Sequence, residues 1–294
     1  MADYIISSCS TIDVPESFFQ ERDLHYICFH FELDGVGYRD DLGKSVPFDQ
    51  FYKKMEEGAM TRTSQVNVEE YIEYFESFLK EGKDVIHIAL SSGISGTYNS
   101  AMIAKKDLEE KYPDRKLYVV DSLCACGGGA VLIEAMADLR DSGMDIDSLY
   151  AWTEENKLNV NHWFFSTDLT FFVRGGRISK TAGFFGNALN ICPLMRVDHQ
   201  GGLMVYKKIR TKKATMRAIV DKMEEQIGNT SYDRSCIINH AACYQDARKV
   251  ADLIEERFPN LKGKVQIYDI GTTIGSHTGP GTVALFFWGA KRID

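Results

Sequence analysis

Chemistry in this chain is concentrated in three polar stretches. The first, Ser91-Ser92-Gly93-Ile94-Ser95-Gly96-Thr97-Tyr98-Asn99-Ser100-Ala101, gathers hydroxyls and small residues between an apolar run, Asp84 to Leu90, and a segment with helical spacing. It reads as strand, loop and helix start. In an open α/β sheet, ligands sit at the carboxyl ends of strands, and the free N–H groups that begin a helix attract anions. The loop lacks the Lys of a phosphate-cradling Walker sequence and the ordered glycines of a dinucleotide fingerprint. A carboxylate therefore fits it better than a triphosphate, with a Ser-rich helix cap that holds no ligand as the alternative. The second stretch, Thr61-Arg62-Thr63-Ser64-Gln65-Val66-Asn67, puts Thr63 at another loop-to-helix junction, where its hydroxyl could serve a ligand or only the local backbone. In the third, four glycines and one proline between Gly271 and Gly281 surround His277 and require a tight backbone. Such a histidine can donate to an anion or bond its own turn.

The elements that must position these residues follow from periodicity. Tyr4-Ile5-Ile6-Ser7-Ser8 is a first strand, whose Ser7 and Ser8 are weaker site candidates. Cys28 to Leu33 and Val36 to Tyr38 alternate around Asp34-Gly35, which predicts a small hairpin. A strong helix places Val68, Tyr71, Ile72, Phe75, Phe78 and Leu79 on one face, with Asn67 and Glu70 as a capping box and Gly82 at its end. The helix opened at Ser95 runs to about Lys111 before Pro113. Next come a strand at Lys116 to Ser122, a helix opened by Gly127-Gly128-Gly129, and a helix capped by Asp147. This alternation predicts a doubly wound parallel sheet over residues 1–160, with the hairpin as an insert. Residues 161–294 read as a second, two-layer α/β domain. Its strands are Trp163 to Ser166, Leu203 to Ile209, Ser235 to His240, Lys264 to Ile270 and Thr282 to Phe287. Its helices are Leu169 to Arg174, Thr215 to Ile227 and Asp246 to Phe258, and Gly175 to Lys180 forms a basic turn. Phe184, Phe185, Leu189, Ile191, Leu194 and Met195 make an apolar segment suited to core or to a pocket wall.

Composition narrows the function. The 294 residues carry a net charge of −8, which disfavours nucleic acid or an anionic membrane as the main partner. The seven cysteines are scattered, and Cys124-Ala125-Cys126 has neither zinc nor thioredoxin spacing, so reduced buried thiols and no metal are expected. The start Met1-Ala2-Asp3-Tyr4 has no signal-peptide pattern and no apolar run is long enough to span a bilayer, so a cytoplasmic protein is expected.

Taken together, Thr63-Ser64-Gln65, Ser91 to Ala101, Val120-Asp121-Ser122, Arg174-Gly175-Gly176-Arg177-Ile178 and Ile274 to Gly281 give the chain a specific likeness. It resembles the DegV family of bacterial fatty-acid-binding proteins, which includes the binding subunits of bacterial fatty acid kinase. The resemblance implies one long-chain fatty acid in an apolar tunnel between two domains. Thr63 and Ser95 would bond its carboxylate, Gly96 would offer its N–H, and His277 would complete the network. It also implies that Arg174, helped by Arg177, docks a separate kinase subunit, which uses ATP to turn the carboxylate into an acyl-phosphate. The chain itself would then need no cofactor, no nucleotide site and no catalytic residue of its own.

Two other readings compete. A serine hydrolase would use Ser95, His277 and Asp121, although Gly93-Ile94-Ser95-Gly96-Thr97 ends in Thr where a nucleophile elbow needs Gly. The DegV fold is also similar to that of dihydroxyacetone kinase subunits, where a His holds a small polar substrate. The apolar segment from Phe184 to Met195 suits that substrate poorly.

Overall fold

The computed structural model of the protein describes residues 4–179 and 191–293. Its first half is built on a four-stranded, all-parallel sheet in the order β2-β1-β6-β7, formed by β1 (Tyr4–Cys9), β2 (His25–Ile27), β6 (Asp84–Ala89) and β7 (Leu117–Asp121). Alternation along the strands sorts side chains to two faces. Leu117 and Val119 join a core with the helices α3 (Val68–Lys80) and α4 (Thr97–Lys111), while Val120, Ile86 and Ile88 join the core around α5 (Gly127–Asp141). Helices thus cover both faces, as the alternating pattern requires. The capping box at Asn67 and Glu70 is present, and Gly82 follows α3 with φ of 77°.

The expected hairpin forms from β3 (His30–Leu33) and β4 (Val36–Arg39), turning through Asp34 and Gly35, both at positive φ. It is one strand larger than expected. Thr61–Ser64, read as loop, is β5 and pairs antiparallel with β3 so that Phe31 faces Thr63. The run Thr-Arg-Thr-Ser has the alternation of a half-buried strand but no large apolar residue to announce it. Ahead of it lies α2 (Phe48–Glu56) and, near the start of the chain, α1 (Glu16–Glu21).

The second sheet has six strands in the order β10-β9-β8-β13-β11-β12: β8 (Val160–Phe165), β9 (Leu194–Val197), β10 (Leu203–Lys207), β11 (Cys236–His240), β12 (Gln266–Asp269) and β13 (Val283–Trp288). Only β11 and β12 run parallel; the other pairs are antiparallel. Among the described residues, α8 (Lys212–Ile227) and α9 (Tyr244–Arg257) pack on this sheet from its own half of the chain. The other layer is α5, which touches β8, β11 and β13 as well as β1. It is wedged between the two sheets, and from Gly127 to Ala137 every residue is buried except Glu134 and Ala135, which are partly covered.

Several boundaries differ from the sequence expectation. Asp145, not Asp147, caps α6 (Ile146–Asn156), accepting from the N–H groups of Asp147 and Ser148. The helix α4 starts at Thr97 after Gly96, two residues beyond Ser95. The Gly-rich stretch around His277 is not a loop: Thr272–Thr278 forms the short helix α10, and the glycines at positive φ, Gly279 and Gly281, come after it. The turn at Gly175-Gly176 follows α7 (Thr170–Arg174). Lys180, Phe184, Phe185 and Leu189 lie outside the described residues, whereas Leu194 and Met195 are core. All seven cysteines are free, and all but Cys243 are buried.

The glycines that open α5 are required by contact. A Cβ on Gly128 would lie 1.9 Å from His162 Nε2, a ring bonded through Nδ1 to the Val160 carbonyl. Gly128→Ala is expected to lose about 1–3 kcal/mol of stability by forcing that ring or the helix aside. Urea denaturation checks this against Gly37→Ala, where an added methyl meets open space and should change stability by less than about 0.5 kcal/mol.

Candidate functional site

A cavity of about 370 Å³ lies between the two sheets. Most of its wall is apolar: Phe29 and Leu90 come from the first half, Phe164, Phe172, Val197 and Phe286 from the second, and Ile274 from α10. Polar side chains enter from Thr63, Ser64 and Gln65, from Ser95, and from Arg177 and His277. The residues that sequence reasoning selected at 63, 95 and 277 therefore line one space, although they come from three separate elements.

The best-defined contact in this group is a hydrogen bond of 2.7 Å between Thr63 Oγ1 and His277 Nε2. Strand β5 presents Thr63, and α10 presents His277 in its last turn. His277 Nδ1 is buried without a partner, and a Cβ on Gly175 would come within 2.3 Å of it. The glycine thus lets the turn after α7 close over the imidazole. An orphaned lone pair costs less than an orphaned N–H, so the tautomer that fits carries its proton on Nε2 and donates it to Thr63. The Thr63 hydroxyl proton is then free to point onward to an acceptor in the cavity. Burial, helped by the nearby Arg177 guanidinium, pulls the His277 pKa down to about 4, so the ring is neutral at physiological pH.

Ser95 sits in the turn before α4, where its Oγ accepts from the Thr97 N–H at 3.2 Å, leaving its own hydroxyl proton for a ligand. The preceding loop is held from both sides. Ser91 Oγ donates to the Gly201 carbonyl, Gly93 abuts the Gly201 backbone too closely for any Cβ, and Asp121 accepts from the Ser92 and Leu123 N–H groups. Gly96 does not line the cavity; it precedes α4 and packs against Gln65, whose amide reaches Ser100 Oγ.

The two arginines separate. Arg174 is exposed, lies over the Phe171 ring and reaches Met60 Sδ, which puts it on the outer surface. Arg177, grouped with it by sequence, instead turns into the cavity, donating from Nε to the Ile94 carbonyl at 3.2 Å and from Nη1 to the Gly175 carbonyl at 2.6 Å. Sequence reasoning missed this because a Gly-Gly-Arg turn does not reveal which way its last side chain points. Ser7 and Ser8 are also elsewhere: Ser7 Oγ bonds buried His87 at 2.6 Å, and Ser8 bonds the Cys9 carbonyl. Nor is a hydrolytic relay assembled, since His277 Nε2 is engaged by Thr63 and the Asp121 carboxylate by loop amides.

The family profile described as "Uncharacterised protein, DegV family" matches residues 6–289. A DegV domain-containing protein of Clostridium perfringens is 37% identical over 292 residues, covering 99% of both chains. Among solved structures, a DegV lipid binding protein from Thermotoga maritima superposes with a TM-score of 0.85 at 27% identity over the whole of both chains. DegV from Bacillus subtilis, described as a fatty acid binding protein, gives 0.81 at 26% identity, covering 99% of this chain and 100% of its own.

The depressed pKa of His277 sets a pH dependence. The unfolded chain binds a proton near 6.5 and the folded chain only near about 4, so as pH falls through that window the folded state loses stability. His87, pulled down to about 3 by burial, acts in the same direction. The expected result is that His277→Gln has a shallower loss of stability between pH 6.5 and 4 than the parent, measured by urea denaturation across that range.

Proposed function

Since the chain belongs to the DegV family, we propose that it binds one long-chain fatty acid in the cavity between its sheets, with the carboxylate at Thr63, Ser95 and His277. The observation that carries this reading is the Thr63–His277 hydrogen bond in the wall of a predominantly apolar cavity. A volume of about 370 Å³ falls in the range of roughly 300–1,000 Å³ typical of small-molecule sites. Enclosing an alkyl chain of about 16 carbons stabilises the complex by on the order of 10 kcal/mol. That gain survives only if the head group keeps its hydrogen bonds. The hydroxyls of Thr63 and Ser95 supply donors, and the Gly96 N–H lies next in sequence to Ser95. Arg177, at the same cavity, supplies a positive charge.

In this reading residues 1–160 form the domain that holds the carboxylate, and residues 161–294 the domain that closes the tunnel. The protein works in the cytoplasm as a carrier, and it presents the carboxylate to a separate ATP-dependent kinase that makes the acyl-phosphate. Arg174 belongs to the docking surface for that kinase, a role its exposure permits. Arg177, bound to the Ile94 and Gly175 carbonyls beside His277, is better suited to orienting the mouth than to docking. The apolar wall argues against a dihydroxyacetone-like substrate, which would leave Phe164, Phe172 and Phe286 unused.

Lipid extraction and mass spectrometry of the purified protein should yield a fatty acid at near one equivalent; a protein free of fatty acid and unable to take one up would end this reading. Thr63→Val and Ser95→Ala should each weaken fatty-acid affinity roughly ten- to hundredfold, the effect of removing a hydrogen bond to a charged group. Displacement of a fluorescent fatty acid measures this, with circular dichroism showing the fold retained. Arg174→Ala should leave that affinity unchanged and lower the rate of acyl-phosphate formation by an added fatty acid kinase.

A further inference from the structure

A second pocket, of about 230 Å³, opens at the far end of α10 from His277. It is bordered by Asp13, Asp40 and Asp269, and its wall is completed by Leu42, Phe48 and Tyr268. Among the described residues no Lys or Arg lines it, and Glu16 at its rim is already paired with Lys44. Asp269 ends β12, so the pocket lies at the carboxyl end of the parallel pair β11 and β12, where open sheets place ligands.

Its acids are unequally satisfied. Asp40 is 1% exposed and accepts from Ser10 Oγ at 3.1 Å and Thr272 Oγ1 at 2.7 Å. Asp13 is 4% exposed, and among the described residues neither of its carboxyl oxygens has a well-formed hydrogen bond, with only the Cys126 thiol and the Gly271 N–H nearby as donors. Both side chains close on Gly271: a Cβ there would lie 2.6 Å from Asp13 Oδ1 and 3.6 Å from Asp40 Oδ1. An orphaned carboxyl beside a second buried carboxylate is costly, and a positive ligand relieves that cost.

We propose that this acidic pocket is a binding site for an alkylammonium or alkylguanidinium cation, with Asp13 and Asp40 receiving the charged head and Phe48 and Tyr268 flanking the alkyl stem. The walls favour an organic cation over a bare metal ion. Aromatic faces attract cations and tolerate methylenes, which a hydrated metal does not need. Among the described residues no group of three or more His, Cys, Asp or Glu is disposed to hold a metal ion. The volume equals about seven or eight waters at roughly 30 Å³ each, enough for a head group on a short stem. Burial and the neighbouring Asp40 push the Asp13 carboxyl well above the usual range, which favours its protonated form in the free protein. On binding, the cation takes the place of that proton, which leaves to solvent.

Calorimetric titration of the full chain with n-butylammonium and n-butylguanidinium should show saturable binding, with 1-butanol and magnesium chloride as controls. Asp13→Asn keeps the shape of the side chain and removes its charge, so it should weaken binding by about tenfold or more. Asp269→Asn, at the exposed rim, should weaken it a few-fold and guards against a folding defect in the first variant. Nα-acetyl-lysine N-methylamide separates the sources: binding comparable to butylammonium assigns the pocket to a partner's side chain, and binding of the free amine alone assigns it to a small metabolite. Absence of saturable binding by both alkyl cations would overturn the proposal. So would equal binding of butanol, full competition by magnesium, or affinity unchanged in both variants.

Discussion

The contact between Thr63 and His277 joins residues 214 positions apart across the wall of the cavity. Neither group could hold that position alone. Thr63 is set by the pairing of β5 with β3, and His277 by a short helix packed on that small sheet and on α7. The imidazole is neutral because the surrounding protein excludes water and places a guanidinium nearby. A neutral donor needs no compensating acid in the free protein. Arg177 meanwhile spends its donors on two backbone carbonyls, so the mouth keeps its shape before any ligand arrives.

Much of this was legible in the sequence where local chemistry and packing agree. The capping box at Asn67, the turn at Asp34-Gly35 and the alternation of strand and helix up to α6 are local signals, and each element forms. Thr63, Ser95 and His277 were recognisable as site candidates because small and hydroxyl residues cluster around them, and they line one cavity. The misses have physical causes. Four glycines, a proline and the β-branched run Thr272-Thr273-Ile274 give no local helix signal, whereas in the fold Asp40 holds the first turn through Thr272. β5, Thr-Arg-Thr-Ser, has no apolar residue to mark it, so pairing with β3 makes it a strand. The side-chain direction of Arg177 depends on the Ile94 carbonyl, 83 residues away in the chain.

The two pockets share a segment. Ile270, Thr273 and Ile274 border the larger cavity, and Gly271, between them, borders the acidic one. Thr272 binds Asp40 while His277, five residues later, binds Thr63. One short helix is therefore tied to an acid at its start and to a hydroxyl at its end. A displacement along its axis would disturb both contacts at once.

The position of α5 has a further consequence. Its flanks are covered by β1 on one side and by β8, β11 and β13 on the other, with a glycine where His162 presses against it. A seam drawn between the sheets follows chain connectivity but not energetic independence, because removing either half would strip apolar cover from the same helix. The two halves should melt together in one cooperative transition. Any opening of the cavity must then come from its rim, by local rearrangement of surface elements, and not by hinged separation of the sheets.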